Sequence, residues 1–274
     1  MSVSRIKTIV IAVLVIINAF FLTFIIRDTV ADAQSDRHAL ENVCEVLRSN
    51  GIQIDPDSVR SGGALRTMRT ARGAEAEAVI ARALLGPTEM TDQGVIYQYD
   101  NAQRGTAKFY SAGDFLIQLN EGVITSEGGA MRTVKGLLRA MQLETMTPVL
   151  SGTSGGEIVT VVGAYNGASI FNCVIEFSFI GDSLDTVKGK YATGIEASDG
   201  GAEISSAGTV LLGFLAAVRR GEVECSRIDS VEAGYQYRVS GSFGEGVIAP
   251  AWLIATDSGR YIIDDATGDR LPLT

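Results

Sequence analysis

The feature that most constrains this chain is an uncharged apolar segment near its N-terminus. Residues 8–26 read TIVIAVLVIINAFFLTFII, in which Asn18 is the only strongly polar side chain. At about 1.5 Å per residue, a helix of this length just crosses a hydrocarbon core of roughly 30 Å, and a helix satisfies its own backbone amides there. The segment therefore predicts a transmembrane helix at 8–26, preceded by a cytoplasmic tip at 1–7.

Two alternatives to this topology stay open. Ala31-Asp32-Ala33 fits the small-x-small pattern of a signal-peptidase site, which would make the segment a cleaved signal peptide. Its length and its bulky end at Phe24, Ile25 and Ile26 favour a retained anchor, because secretory apolar regions run about 7–15 residues. The cations on the two sides of the span barely separate the two orientations, so an inverted topology remains the other alternative.

Composition restricts the partners of the rest of the chain. Three of the 23 Lys and Arg residues lie in the first 27 positions and none of the 32 Asp and Glu residues does, so residues 28–274 carry a net charge of −12. Such a surface is repelled by phosphate backbones, which argues against nucleic-acid binding. Cys44, Cys173 and Cys225 allow at most one intramolecular disulfide and resemble buried apolar residues.

Apolar residues recur at helical spacing in four places, and glycine follows each of them. The four predicted apolar faces are Leu40, Val43, Cys44 and Leu47; Ala76, Val79, Ile80, Ala83 and Leu84; Met131, Val134, Leu137, Leu138 and Met141; and Gly208, Leu211, Leu212, Leu215 and Val218.

Between these helices, β-branched and aromatic segments bounded by turn residues predict strands. They lie at 94–99, 105–111, 114–120, 157–165, 169–180, 186–195, 222–240, 246–256 and 260–264. The order predicts an α+β fold of repeated helix-plus-antiparallel-β-meander units. We place a first unit at 27–125 and a second region at 126–274, which divides again into 126–200 and 201–274 if a third unit is present.

The sequence offers little that could carry catalysis. His38 is the only histidine, so neither a histidine-based triad nor a multi-histidine metal site can be built. Residues 152–156 (GTSGG) match the nucleophile-elbow pattern, but strand-like residues follow where a helix is required, so we interpret them as a glycine-rich loop. The carboxylates at 264–269 lack the spacing of an EF-hand and are interpreted as a β-turn. We predict a non-enzymatic protein without cofactor or metal.

The two ends of the chain resemble a known family. Ser4-Arg5-Ile6-Lys7-Thr8-Ile9, followed by the apolar span with Asn18 and Phe20-Phe21-Leu22, resembles the start of YycI (WalI) proteins. These are membrane-anchored regulators of the WalK/YycG sensor histidine kinase, a two-component system of low-GC Gram-positive bacteria. The segments 248–254 (IAPAWLI) and 259–264 (GRYIID) are similar to the closing strands of YycH/YycI-like proteins and, more loosely, of PepSY-type domains. Val3 departs from the aromatic residue expected there.

The resemblance implies a single-pass protein of the cell membrane with a large extracytoplasmic domain. It implies that the transmembrane helix packs beside those of the kinase, with a YycH-like protein as a third member, and restrains autophosphorylation without chemistry. The alternative function is a PepSY-type binding or inhibitory module acting on an extracytoplasmic peptidase, and a third is an anchored cell-wall enzyme.

Two residues give specific expectations about contacts. A side-chain amide near mid-span is stabilised by another helix, so Asn18 predicts the partner-facing stripe, although an amide bonded only to its own helix is the alternative. Trp252, the only tryptophan, lies among apolar residues and is predicted to be buried against the helix around 211–218. The stripe comprises Ile11, Leu14, Val15, Asn18, Phe21, Leu22 and Ile25.

Overall fold

A computed structural model describes residues 37–60, 64–126, 128–143, 148–153, 156–197, 204–239 and 245–273. The predicted transmembrane helix at 8–26 and the whole stripe around Asn18 lie outside these ranges. Inside them, none of the helices combines the length and the apolar character that crossing a membrane requires.

The helices of the described residues occur where the apolar periodicity predicts them. The helix α1 ends just before Gly51, whose φ of +85° is the left-handed conformation that glycine adopts easily. The helix α4 begins after Ser206, whose side chain accepts a hydrogen bond from the backbone N–H of Thr209 at 3.3 Å and so caps the first turn. The helices are α1 (37–49), α2 (Ala74–Leu85), α3 (Ala130–Ala140) and α4 (Ala207–Arg219).

Strands make up most of the described chain, so the fold is α+β with a large share of sheet. The short strands β1 to β4, β8, β12 and β16 escape the sequence analysis, because two to five residues show too little periodicity. The strands are β1 (Gln53–Ile54), β2 (Val59–Arg60), β3 (Met68–Thr70), β4 (Glu89–Asp92), β5 (Ile96–Asn101), β6 (Gly105–Tyr110), β7 (Asp114–Leu119), β8 (Val149–Thr153), β9 (Gly156–Tyr165), β10 (Ala168–Ile180), β11 (Ser183–Lys190), β12 (Glu196–Ala197), β13 (Arg227–Val239), β14 (Gly246–Thr256), β15 (Arg260–Asp264) and β16 (Arg270–Leu273).

The strands β4 to β11 form what we call the central half of the sheet. Its order is β8-β9-β10-β11-β7-β6-β5-β4, and every neighbouring pair is antiparallel. The helices α2 and α3 cover one face, where Ile80, Leu84 and Val134 pack against strand residues such as Phe109 and Phe177. We call this cluster the central core.

The remaining strands form the terminal half, named for the two ends of the chain that supply it. Its order is β12-β3-β14-β13, with β15 and β16 continuing from β14. The prediction of purely antiparallel pairing is wrong here, because β1 and β2 pair with β13 in parallel. A parallel pair requires a crossover connection rather than a hairpin, and the whole central half lies between β2 and β13 in the chain.

The helices α1 and α4 cover the terminal half and form the terminal core with it. Cys44 and Leu47 of α1 are fully buried there together with Leu211 and Phe214 of α4. Both cores therefore draw residues from both sequence segments, 27–125 and 126–274.

The strand β10 connects the two halves of the sheet. Its first part pairs with β13 through Ile170 and Tyr235, and its second part pairs with β9 and β11. Cys173 belongs to the terminal core and Ile175 to the central core. Since residues two apart in a strand point to the same face, both cores lie on the same side of β10. The gap between them on that side is where the candidate site lies.

Candidate functional site

A cavity of about 330 Å³ lies between the two cores. One wall is formed by α2, a second by the residues just after α3, and a third by the segment that follows β11. The floor is made of β9 and β10. The lining residues are Ala76, Val79, Ile80, Met141, Gln142, Leu143, Gly163, Ala164, Tyr165, Ile170, Cys173, Ile175 and residues 190–195.

The local pairing of β9 and β10 explains why the floor is open. The register of this pair shifts between Ser169 and Val174, so the two strands separate where β10 changes partner. Gly163 faces Cys173 in the same region, and a Cβ atom at Gly163 would come within 3.1 Å of the Cys173 Cβ. The glycine thus lets the two strands approach closely beside the cavity.

The wall from α2 corrects part of the predicted apolar face of that helix. Ile80 and Leu84 are fully buried as expected, but Ala76, Val79 and Ala83 are only half-buried. Ala76 and Val79 line the cavity, and the positions that complete the buried face are Ala81, Leu85 and Glu77.

The polar groups of the lining are mostly neutral. Burial raises the pKa of the Cys173 thiol to about 12, and it raises the pKa of the Tyr191 phenol well above its ordinary value. Both side chains are therefore uncharged at neutral pH. The Tyr191 hydroxyl is buried and has no hydrogen-bond partner in the described part of the chain.

Lys190 supplies a positive charge at the cavity. Its Nζ lies 3.4 Å from Asp114 Oδ2 and 5.9 Å from the centre of the Tyr237 ring. Among the described lining residues it is the only one with a charged side chain at neutral pH. The sequence analysis did not single out Lys190, since a lysine late in a strand pattern gives no signal of what it faces.

A buried ion pair fixes the start of α2 near this wall. Arg72 Nε lies 2.8 Å from Glu77 Oε1, and Arg72 Nη2 lies 3.2 Å from Glu77 Oε2. Nη2 of Arg72 also donates to the Phe109 carbonyl at 3.0 Å, and the guanidinium stacks 3.6 Å above the Tyr97 ring. Burial raises the pKa of Glu77, and the hydrogen bond and charge of Arg72 oppose that shift. The sequence analysis missed this pair.

The residues weighed for catalysis lie apart from the cavity. His38 is exposed and lies 3.3 Å from Glu41 on α1, which agrees with a solvent-facing histidine. In the GTSGG segment, Gly152 and Thr153 belong to β8 rather than to a loop, and β9 follows as a strand instead of the helix that a nucleophile elbow needs. Ser154 and Gly155 lie outside the described residues.

The carboxylate segment after β15 forms the predicted turn. Asp264 Oδ1 accepts hydrogen bonds from the backbone N–H groups of Ala266 and Thr267, both at 2.9 Å, and Asp264 pairs with Arg238. Asp265 accepts from the Ser205 N–H at 3.0 Å and so ties the turn to the start of α4. Throughout the described ranges, His, Cys, Asp and Glu nowhere form a group of three or more suited to a metal ion.

Trp252 lies on β14 in the terminal core, 2 % exposed, together with the α4 residues that the sequence assigns to it. Its indole N–H is buried without a hydrogen-bond partner in the described residues.

The fold and the cavity define an α+β protein, largely of sheet, with helices over one side. Neither a family model nor a curated protein sequence matches the chain. An uncharacterized protein from Eubacterium rectale ATCC 33656 has a similar structure, with a TM-score of 0.53 and 7% sequence identity over 81% of this chain and 90% of that one. At this identity the likeness shows the fold alone.

The C-terminal domain of Bacillus megaterium YpeB also matches, over 75% of this chain and 99% of its own length. Its TM-score is 0.35 and its identity 12%, which is too low for this likeness to carry an argument. The resemblance to YycI therefore rests on the residues quoted from the two ends of the chain.

Proposed function

We propose that this protein is a non-enzymatic, membrane-anchored extracytoplasmic regulator of a sensor histidine kinase of the WalK/YycG type. The observation that carries the proposal is the uncharged segment 8–26 with a single amide, Asn18, near its middle. In this proposal the N-terminus is cytoplasmic, one helix spans the cell membrane, and the described residues lie outside. A YycH-like protein is the third member of the complex.

The order of the described elements is consistent with this function. Each of the four helices is followed by strands, which we interpret as repeated helix-plus-antiparallel-sheet units of the YycH/YycI-like and, loosely, PepSY-like kind. The helix α1 follows the proposed anchor in the chain, and its Cys44 and Leu47 are buried in the terminal core. A change in the tilt of the anchor would therefore act on a helix that is packed into the sheet domain.

Hydrogen bonds fix the end of α1 as well. Arg48 Nη2 donates to the Ile54 carbonyl at 2.7 Å, and Arg219 Nε on α4 donates to Asn50 Oδ1 at 3.1 Å. These contacts join α1 to β1 and to α4. Coupling between membrane and domain needs only that the two arrangements of such an element differ by a few kcal/mol.

The test is the substitution Asn18→Leu in the full-length protein. We expect insertion and abundance to be preserved, kinase co-purification from detergent to weaken about 3- to 30-fold, and kinase autophosphorylation to rise. The reason is that an interhelical amide contact contributes roughly 0.6–2 kcal/mol in membranes. Thr23→Leu, a polar-to-apolar change on the same helix outside the stripe, is the matched control. Wild-type co-purification and regulation by the Asn18 variant would show that the stripe is not the contact.

A second candidate function is supported by one edge of the sheet. In the described residues β8 pairs only with β9, so its other edge is open. Val149 and Leu150 on this strand are 66% and 46% exposed, and residues 149–153 contain no charge. An uncharged, exposed edge favours the addition of an extended peptide as a further strand. We propose as the alternative a PepSY-type module that restrains an extracytoplasmic peptidase through this edge.

Leu150→Lys tests the alternative. A lysine on the open edge is expected to abolish peptidase inhibition and capture, because a charge there opposes strand addition. Met90→Lys on β4, the acidic edge at the other end of the central half, is the control, since Met90 is also exposed. Unchanged capture by the Leu150 variant, or equal loss in both variants, would contradict a role for β8. Kinase capture with no peptidase would favour the first proposal.

A further inference from the structure

The cavity between the two cores combines an apolar wall with one amine. Its wall contains apolar side chains from three elements, including Val79 of α2, Met141 after α3 and Ile170 of β10. Cys173 and Tyr191 add polar atoms that are uncharged at neutral pH. The Lys190 ammonium is therefore the charge that a bound molecule would meet, in a chain whose net charge is −9.

The present partner of Lys190 is held only loosely. The Asp114 side chain is 53% exposed and that of Lys190 29%, with 3.4 Å between their charged atoms. Ion pairs at such exposure contribute about 0–1 kcal/mol, so another anion can replace Asp114 at little cost. The nearby Tyr237 ring favours the charged form of the amine.

The size of the cavity limits what can occupy it. A volume of about 330 Å³ is at the lower end of the range for ligand sites. It is equivalent to roughly ten water molecules of liquid volume, so it suits a small molecule rather than a folded partner. The apolar wall requires an apolar body, and the amine favours a negative group at one end.

We propose that this cavity binds a small amphipathic carboxylate, whose apolar body fills the space between α2 and β10 and whose carboxylate pairs with Nζ of Lys190. The site is independent of the regulatory contact in the membrane and goes beyond it. An apolar side chain presented by a partner protein is the competing occupant, and it would not need the amine.

The probe is hexanoate, with 1-hexanol as its uncharged counterpart. Both are titrated by ligand-observed NMR against the full-length protein in lipid nanodiscs, with empty nanodiscs as the blank. We expect saturable hexanoate binding and at least several-fold weaker binding of 1-hexanol. Lys190→Met, which keeps the length of the side chain, is expected to weaken hexanoate roughly tenfold and to leave 1-hexanol unchanged.

Variants that fill the cavity locate the site. Ala76→Leu and Val79→Phe place bulk in the wall, and each is expected to abolish hexanoate binding. Ala74→Leu on the exposed start of the same helix is the matched control and is expected to bind like wild type. Melting curves identify any variant that does not fold, and either cavity variant alone suffices for the comparison.

Three results would overturn the proposal. They are the absence of saturable hexanoate binding, equal affinity for hexanoate and 1-hexanol, and full binding by a folded cavity-filled variant. None of these bears on kinase association, which the Asn18 variant tests separately.

Discussion

Replacing Arg72 with methionine is expected to lower the free energy of unfolding by about 3–5 kcal/mol at pH 7. The substitution keeps most of the aliphatic stem but leaves Glu77, which is 4% exposed, without its bidentate partner. It also removes the bond to the Phe109 carbonyl and the stacking on Tyr97. Urea unfolding monitored by circular dichroism measures the change.

The loss is expected to depend on pH in a definite direction. Burial raises the pKa of Glu77 in the folded state, and removing Arg72 takes away the groups that lower it. A carboxyl whose pKa is raised on folding favours the folded state at low pH and loses that contribution as pH rises above its ordinary value of 4.5. The deficit of Arg72→Met is therefore larger at pH 8 than at pH 5.

The double variant Arg72→Met/Glu77→Gln is the control for this interpretation. It has no carboxyl at position 77, so its deficit should be smaller at pH 8 and the same at both pH values. A deficit of Arg72→Met that is equal at pH 5 and pH 8 would assign the loss to the contacts with Phe109 and Tyr97 instead of to the unpaired carboxylate.

Trp252→Ala is expected to destabilise the protein by about 3–5 kcal/mol. The indole is enclosed in the terminal core, where it packs with Leu211 and Phe214 of α4, so its removal leaves a large cavity. Trp252→Phe is expected to cost less, because it retains an aromatic ring and removes a buried N–H that has no partner among the described residues. Thermal and urea unfolding of the two variants provide the comparison.

Fluorescence of the wild-type protein checks the same assignment without a substitution. Since Trp252 is the only tryptophan, its emission should be blue-shifted and poorly quenched by acrylamide in the native state. Red-shifted, readily quenched emission would place the indole on the surface and make it a candidate partner contact.

Local features of the fold could be predicted because their causes are local. The bounds of α2, β14 and β15 follow from helical or strand-like patterns that end at glycine or turn residues within a few positions. The turn after Asp264 follows from short-range bonding of its own side chain. The burial of Trp252 follows from its size and its apolar neighbours.

The candidate site could not be predicted in the same way. Its parts come from α2, the end of α3, β9, β10 and the segment after β11, and no pattern within one of these segments indicates that they meet. Glu77 is a further example, since a glutamate in a helix is expected at the surface unless a cation from elsewhere, here Arg72, accompanies it inside.

The sequence by itself determined the kind and position of the helices and long strands, the predicted membrane span, and the acidic surface. These depend on composition and on periodicity over ten to twenty residues. The tertiary structure alone decided that α1 shares a core with α4, that β1 and β2 run parallel to β13, and that a cavity with one amine remains between the cores. Each of these depends on contacts between residues far apart in the chain, and such contacts are selected by the packing of the whole core rather than by any local pattern.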